Sequence, residues 1–410
     1  MNICIIGGGP AGMMAAIFAA KSNSKLNIDI FESNERLGKK ILATGNGRCN
    51  FTNRNMDIEN FHGRDNSFAK FAIETFDNLD VIEFFENLGI YPYIDDRDRV
   101  YPNSLQASSI LDVLRFELKR LGIKEITNNR VRKIIPKNKG FIIKTDNNSF
   151  KYDKVLLAGG GNAMPKSGSD GNAYRLAREL GHKVFEPLPT IVQLNTDSPY
   201  SKSLDGVKII SRLNLTDESG NIIKTEFGDI LFTRYGLSGP TILDLSRTAI
   251  ERLKENRPSY LQVNLVGDLN REEIENIIYE RKEKLFYKSI REALIGLINK
   301  RLIVPLLKYC NIEFEKEISK LNSQELKCLI DGLFAFKSKV TGSQGFGQAQ
   351  STNGGISTKE ICDKTMESKL VSNLYLAGEI IDIDGDCGGY NLQWAWSSGY
   401  IAGKSLAVNK

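Results

Sequence analysis

Apolar and polar residues change their spacing several times along the 410-residue chain, and those changes divide it. A short apolar run, Asn2 to Ile6, stops at glycines, and an Ala/Met-rich stretch of helical character, Ala11 to Lys21, follows at once. A second apolar run, Leu26 to Phe31, ends at Glu32. Helical spacing recurs at Phe68, Phe71, Ala72 and Phe76 within Ser67 to Leu88. It appears again at Ile110, Leu114, Leu118 and Leu121 within Ala107 to Leu121, where Gly122 supplies a stop. Residues 125–158 read as a β-meander punctuated by Asn128-Asn129 and Asp146-Asn147-Asn148. It closes with the apolar strand Lys154 to Ala158, which runs into Gly159-Gly160-Gly161, and a helix at Asn172 to Leu180 ends at Gly181.

The texture changes near Thr190. Short alternating runs (Ile191 to Leu194, Lys208 to Leu215, Asn221 to Thr225, Tyr260 to Val266) predict a small antiparallel sheet or barrel. Asn270 and Glu273 are spaced as a capping box and open a charged helical region that reaches about Phe334. Beyond Val340 come Gly-rich turns, a strand at Leu374 to Gly378 and a last helix from about Asn391. A chain of this length exceeds one ordinary core. The economical layout is an α/β domain made of residues 1–190 and 340–410, with residues 191–339 inserted. The insert is β-rich over about 191–266 and helical over about 270–335.

Between the first strand and helix stands Gly7-Gly8-Gly9-Pro10-Ala11-Gly12, a Gly-x-Gly-x-x-Gly turn, and Glu32 lies twenty residues after Gly12 at the end of the second strand. This is the dinucleotide fingerprint in its strand–turn–helix–strand context. Gly7 makes the tight turn, Gly9 admits a pyrophosphate to the backbone, and Gly12 lets helix and strand pack closely. Pro10 and Ala11 open the helix whose N–H groups would hold the phosphates, and Glu32 would accept from a ribose hydroxyl. The end of the chain selects FAD over NAD. A late strand ending in Ala377-Gly378-Glu379 suits a two-part flavin site in which the acid meets the ribityl–pyrophosphate region. The middle strand ending at Ala158-Gly159-Gly160 would be a third element. It is not a second nucleotide fingerprint, because Met164 and Pro165 follow Gly161.

Thr44-Gly45-Asn46-Gly47-Arg48-Cys49-Asn50-Phe51-Thr52-Asn53 resembles the signature loop of a bacterial family of NAD(P)/FAD-dependent oxidoreductases, aminoacetone-oxidase-like or bile-acid-reductase-like. The resemblance continues at Arg99 to Pro102, Thr233 to Pro240, Thr365 to Lys369 and Gly388 to Ala395, and so covers nearly the whole chain. It implies a Rossmann-type FAD domain with an inserted β-barrel-plus-helical domain. The family usually has histidine where this chain has Arg234.

In this setting Gly389, Tyr390, Asn391 and Leu392 open a helix whose N-terminus would face the flavin pyrimidine edge and favour negative charge there. Lys39, Lys40 and Arg48 would neutralise the pyrophosphate or the ring, with Asn46 and Cys49 in the same loop. Val131 resembles the position whose backbone pairs with adenine. Tyr235 and Tyr390 are candidate proton donors, and Arg234 is a further candidate for a catalytic part. Cys49 and Cys387 both fall in motifs expected near the cofactor, and packing is the expected role of each. His62 and His182 lie outside these motifs, so the FAD should be noncovalent.

Bulk properties narrow the partners. The formal charge of +5 is thinly spread, and its densest stretch, Arg281 to Lys288, is interrupted by Glu283. A nucleic-acid partner is therefore not expected. No run approaches eighteen apolar residues, so no membrane span is expected. Six dispersed cysteines without C-x-x-C disfavour zinc and a local dithiol and suit a reducing cytosol, two histidines exclude a three-histidine metal site, and no metal is expected. The expected enzyme is a cytoplasmic FAD oxidoreductase acting on a small molecule held between its domains, ligand sites favouring such places. It would be a reductase using NAD(P)H as a transient co-substrate, or an amine or amino-ketone oxidase using oxygen. The alternatives are a flavin-dependent RNA-modifying enzyme and an FAD-binding regulator without turnover. The oligomeric state is left open.

Overall fold

The computed structural model describes residues 1–408, which form two compact units. The first comprises Met1–Pro189 and the chain from Phe346 onward; the second is Thr190–Gly345.

The first unit is built on five parallel strands: β1 (Asn2–Ile6), β2 (Asn27–Phe31), β3 (Lys124–Ile126), β4 (Lys154–Leu157) and β5 (Leu374–Leu376), in the spatial order β5-β4-β1-β2-β3. Strands β4 and β5 are buried along their whole length, as the continuous apolar runs of a sheet covered on both faces require. Helix α1 (Pro10–Ser22) crosses from β1 to β2 and is buried on nearly every side, so its Ala/Met composition replaces an amphipathic stripe. Its neighbour is the C-terminal helix α2 (Tyr390–Leu406). The two axes come close at Gly399 and Gly403. A Cβ would stand 2.6 Å from the Ala11 carbonyl oxygen at the first and 2.5 Å from that of Ala15 at the second.

Three sequence expectations change. The helical stretch Ser67 to Leu88 is broken: a helix at Lys70–Thr75 ends at Phe76, and a new one runs Asn78–Asn87. Asp77 caps the second helix and forms a capping box with Asp80, a local signal that the repeating phenylalanines obscured. The supposed meander at 125–158 divides. Only Val131–Pro136, Phe141–Thr145 and Ser149–Tyr152 form the antiparallel sheet, while its first and last strands join the parallel sheet as β3 and β4. Finally, the helical region of the insert is followed by one more strand.

That strand, Phe336–Ser343, closes the barrel of the second unit. Around the barrel run Leu194–Thr196, Gly236–Ser238, Ile222–Thr233, Lys208–Thr216, Tyr260–Val263 and Phe336–Ser343, all antiparallel. Closure leaves no open edge. The capping box of Asn270 with Glu273 is present and starts the helix Arg271–Lys284.

Within the first unit, the imidazole of His182 is fully enclosed. Its Nδ1 lies 3.0 Å from Glu360 Oε2 and its Nε2 2.9 Å from Ser368 Oγ. Ser368 Oγ also accepts from the backbone N–H groups of Leu370 and Val371, which makes it a junction of the fold rather than a free nucleophile.

Two predictions follow from this packing. Gly403→Leu forces a side chain against the α1 backbone and should cost about 1–3 kcal/mol, read as a lower denaturation midpoint; an unchanged midpoint would mean that the helices separate freely. Burial pushes the His182 pKa down against the opposing pull of Glu360. The unfolded chain therefore takes up a proton at about pH 6.5, before the folded chain does, and stability is lost as the pH falls from there through the folded value. His182→Gln should show a shallower loss between neutral and acid pH, and an equal slope would remove this residue from the account.

Candidate cofactor site

The C-terminal ends of the parallel strands open into a cleft lying wholly in the first unit, the place where open α/β sheets bind ligands. Its wall is assembled from separated stretches of chain, among them the β1 turn, the end of β2, the Lys39–Lys40 loop, residues 129–131, the β4 glycines, residues 167–170, Gly378 with Glu379, and the start of α2.

The three fingerprint glycines have different reasons for being glycine. Gly7 has φ +109°, and a Cβ there would collide with the Ala158 carbonyl. A Cβ on Gly12 would overlap the Gly7 carbonyl oxygen. Gly9 has φ −80°, and its Cβ would meet nothing within 4 Å. The fold itself therefore tolerates a side chain at Gly9, and the glycine keeps the space in front of α1 clear. No side chain caps that helix, so its leading N–H groups are available to an anion. A pyrophosphate fits this cradle on geometry alone.

Glu32 lines the cleft beyond the turn. Its Oε2 accepts from Gly8 N–H at 3.0 Å, and its Oε1 from the backbone and side-chain N–H groups of Asn34 at 2.9 and 2.8 Å. These bonds aim the carboxylate and leave it acceptor capacity. Glu379 is more heavily engaged. Oε2 takes Lys40 Nζ at 2.7 Å and Gly161 N–H at 3.3 Å, while Oε1 takes Thr352 N–H at 2.8 Å and Ser351 Oγ at 3.2 Å. Lys40 is thereby neutralised, whereas exposed Lys39 forms no ion pair among the described residues.

Pro10, Ala11, Val131, Ala158, Gly159, Gly160, Gly378, Asn391 and Leu392 also line the cleft. The Val131 carbonyl already accepts from Asn172 Nδ2 at 3.1 Å. Sequence reasoning missed the Arg130–Asp170 ion pair, Asn129, Thr44 and Gln350 on the same wall.

Other expected residues stand elsewhere. Gly12 lies behind the turn, as its packing requires. Asn46 is exposed with φ +56°. Arg48 lays its guanidinium over the Tyr101 ring at 4.9 Å and donates to the Gly45 carbonyl. Cys49 is enclosed, and burial pushes its thiol up to about 12, which makes it an inert packing group at neutral pH. Neither Cys49 nor Cys387 is in a disulfide. Gly389 has φ +104°, and a Cβ would lie 2.6 Å from the Thr52 backbone, so packing demands the glycine. Tyr390 is buried and donates its hydroxyl to the Asn55 carbonyl at 3.0 Å, which removes it as a free proton donor. Arg234 and Tyr235 lie in the second unit, at the turn between Ile222–Thr233 and Gly236–Ser238; Arg234 is exposed and pairs with Asp205 at 3.7 Å.

A family model described as the HI0933-like protein Rossmann domain matches residues 1–405. A 3-dehydro-bile acid delta(4,6)-reductase from Clostridium scindens is 37% identical, with 99% of each chain covered. The chain belongs to the HI0933-like family. It is an FAD-dependent oxidoreductase with a Rossmann-type cofactor domain. A ribosomal RNA dihydrouridine synthase from Haemophilus influenzae is 28% identical over 98% of each chain. A solved quinol–fumarate reductase with menaquinol shares the fold at 14% identity and a TM-score of 0.51, over 99% of this chain and 70% of that one.

Gly9→Val tests the cradle. The backbone accepts valine and the side chain enters only the cleft, so stability should stay within about 0.5 kcal/mol of the parent while FAD is lost on purification. A stable variant that keeps its full flavin complement would place the pyrophosphate elsewhere.

Proposed function

We propose that this HI0933-like protein reduces a carbon–carbon double bond conjugated to a carbonyl in a small molecule, with NADPH or NADH as the electron source. The observation that carries the reading is the pair of full-length relatives. One is named as a reductase of a 3-dehydro-bile acid and the other as a synthase of dihydrouridine. Their substrates differ, yet both names describe the net addition of a hydride and a proton across a C=C bond beside a carbonyl. No comparable observation favours amine oxidation.

A small substrate is favoured over RNA by the fate of the most basic stretch. Arg281 donates to the Ala293 carbonyl, Lys282 to the Leu321 carbonyl at 3.0 Å, and Lys284 pairs with Glu280. These cations are engaged within their own unit instead of forming a phosphate-tracking face.

FAD, when bound, supplies hydride transfer at N5. The chain's own groups would position it noncovalently. The α1 N-terminus and Lys39 would hold the pyrophosphate, Glu32 would accept from the adenosine ribose, and Asn129 to Val131 would stand at the adenine. Glu379, anchored by Lys40 and Thr352, would meet the ribityl chain.

The test is anaerobic mixing of the yellow protein with NADH, NADPH and a panel of amines, followed by an acceptor. One pyridine nucleotide should bleach the flavin, and a steroidal enone should restore the colour. Bleaching by an amine alone would make the protein an oxidase, and recolouring by a ribosomal RNA fragment but no small enone would transfer the reaction to RNA.

A further inference from the structure

Reduction of a conjugated C=C bond consumes a proton as well as a hydride. Tyr390 commits its hydroxyl to the Asn55 carbonyl, and Tyr235 belongs to the second unit. A different tyrosine of the first unit is free to supply the proton. The motif Arg99–Pro102 is the middle strand of a small antiparallel sheet, with Thr52–Asn53 on one side and Pro92–Ile94 on the other. Tyr101 in that strand is only 2% exposed. Its hydroxyl has no hydrogen-bond partner among the described residues, yet it is not sealed from solvent.

Two segments of the cleft wall continue to this tyrosine. Thr44 lines the cleft, and at the next residue a Cβ on Gly45 would stand 3.3 Å from Tyr101 Cε1. Arg48, from the same loop, holds its guanidinium over the Tyr101 ring at 4.9 Å and pairs with no carboxylate among the described residues. The second segment is the start of α2, whose Asn391 and Leu392 line the cleft. Asn53, opposite Arg99 in the sheet, donates from Nδ2 to the Gly388 carbonyl at 3.0 Å. Side chains alternate along a strand and match across a ladder, so Asn53, Arg99, Tyr101 and its cross-strand partner Tyr93 share one face. Tyr93 is 44% exposed and extends that face as an aromatic surface.

The charges around the ring suit an acid. Burial pushes the Tyr101 hydroxyl above the usual tyrosine range and keeps it protonated at neutral pH. Arg99, itself held by Asp95 at 2.7 Å, and Arg48 pull the other way by favouring the phenolate, while Asp95 and Cys387 add to the upward push. The proton therefore stays until it is taken, and two cations stand by the anion that its loss creates.

We propose, on the reading of this protein as a double-bond reductase, that Tyr101 is its proton donor. The reduced flavin supplies the hydride, which adds to the carbon of the double bond farther from the carbonyl. The two π electrons form a new C–H bond at the nearer carbon with the proton of Tyr101, whose O–H bond breaks. The tyrosinate left behind recovers a proton from water.

The test compares the full-length holoprotein with Tyr101→Phe, which keeps the packed ring and loses only the unpartnered hydroxyl. The variant should purify with the parental flavin content and bleach with the pyridine nucleotide as the parent does. Its oxidised form should bind progesterone, a steroidal enone, with the parental dissociation constant, read from the flavin absorbance. Recolouring of the bleached variant by progesterone should be at least about 100-fold slower. In deuterium oxide the parent's product should carry deuterium on one face of the carbon beside the carbonyl, and the variant's residual product should lose that preference. The parent should recolour at a steady rate from about pH 7 to 9, below the range in which a buried tyrosine ionises. A fall across that interval would assign the proton to a group of lower pKa and overturn the proposal. Parental recolouring in Tyr101→Phe would do the same, and loss of flavin or of progesterone binding would make Tyr101 a packing residue. A parent left bleached by both progesterone and cyclohexenone would instead refute the double-bond reading, and the donor with it.

Discussion

The first unit depends on how closely its backbones approach one another around helix α1. Gly7 sits against the Ala158 carbonyl, Gly12 against the Gly7 carbonyl, and Gly399 and Gly403 against the α1 carbonyls of Ala11 and Ala15. Each contact removes the space a side chain would take, and together they fix the helix between the sheet and α2. That immobility gives the cleft its shape. A helix N-terminus attracts an anion only where its N–H groups point, and within about one turn. A loosely held α1 would offer the same dipole with no defined receptor.

The second constraint is electrostatic and joins chain segments far apart. Lys40 and Glu379 are 339 residues apart and form a partly buried ion pair on the cleft wall. Glu379 also accepts from Gly161 and Thr352, so one carboxylate ties the signature-loop region, the β4 glycines, the segment before β5 and the segment after it. Neutralising one partner of such a pair leaves the other charged and poorly solvated. The same group that would face the cofactor thus holds the wall together, which limits what a Glu379 substitution can say about cofactor contacts alone.

What the sequence disclosed follows the range of the interactions involved. The fingerprint turn, the Asn270 capping box and the helix ending at Gly122 are set by residues within a few positions of one another, and a linear reading found them. So did the strand ending at Glu379, because an apolar run and a following acid are local features. Reading failed where distant partners decide. Nothing near Lys124–Ile126 says that it pairs with β2 rather than with the meander, nor that Phe336–Ser343 returns to close a barrel. The contacts that Arg48, Cys49, Gly389 and Tyr390 make were hidden for the same reason. Their surroundings (Tyr101, an apolar interior, the Thr52 backbone and the Asn55 carbonyl) lie far away in sequence.

The central claim is that the cleft at the strand ends holds a complete, noncovalent FAD. The direct measurement is to denature the purified protein, separate small molecules from polypeptide, and identify and quantify the flavin in each fraction. The account predicts FAD equimolar with the chain in the small-molecule fraction and a colourless polypeptide. FMN in place of FAD, flavin remaining on the polypeptide, or a protein that neither carries nor takes up FAD would contradict it.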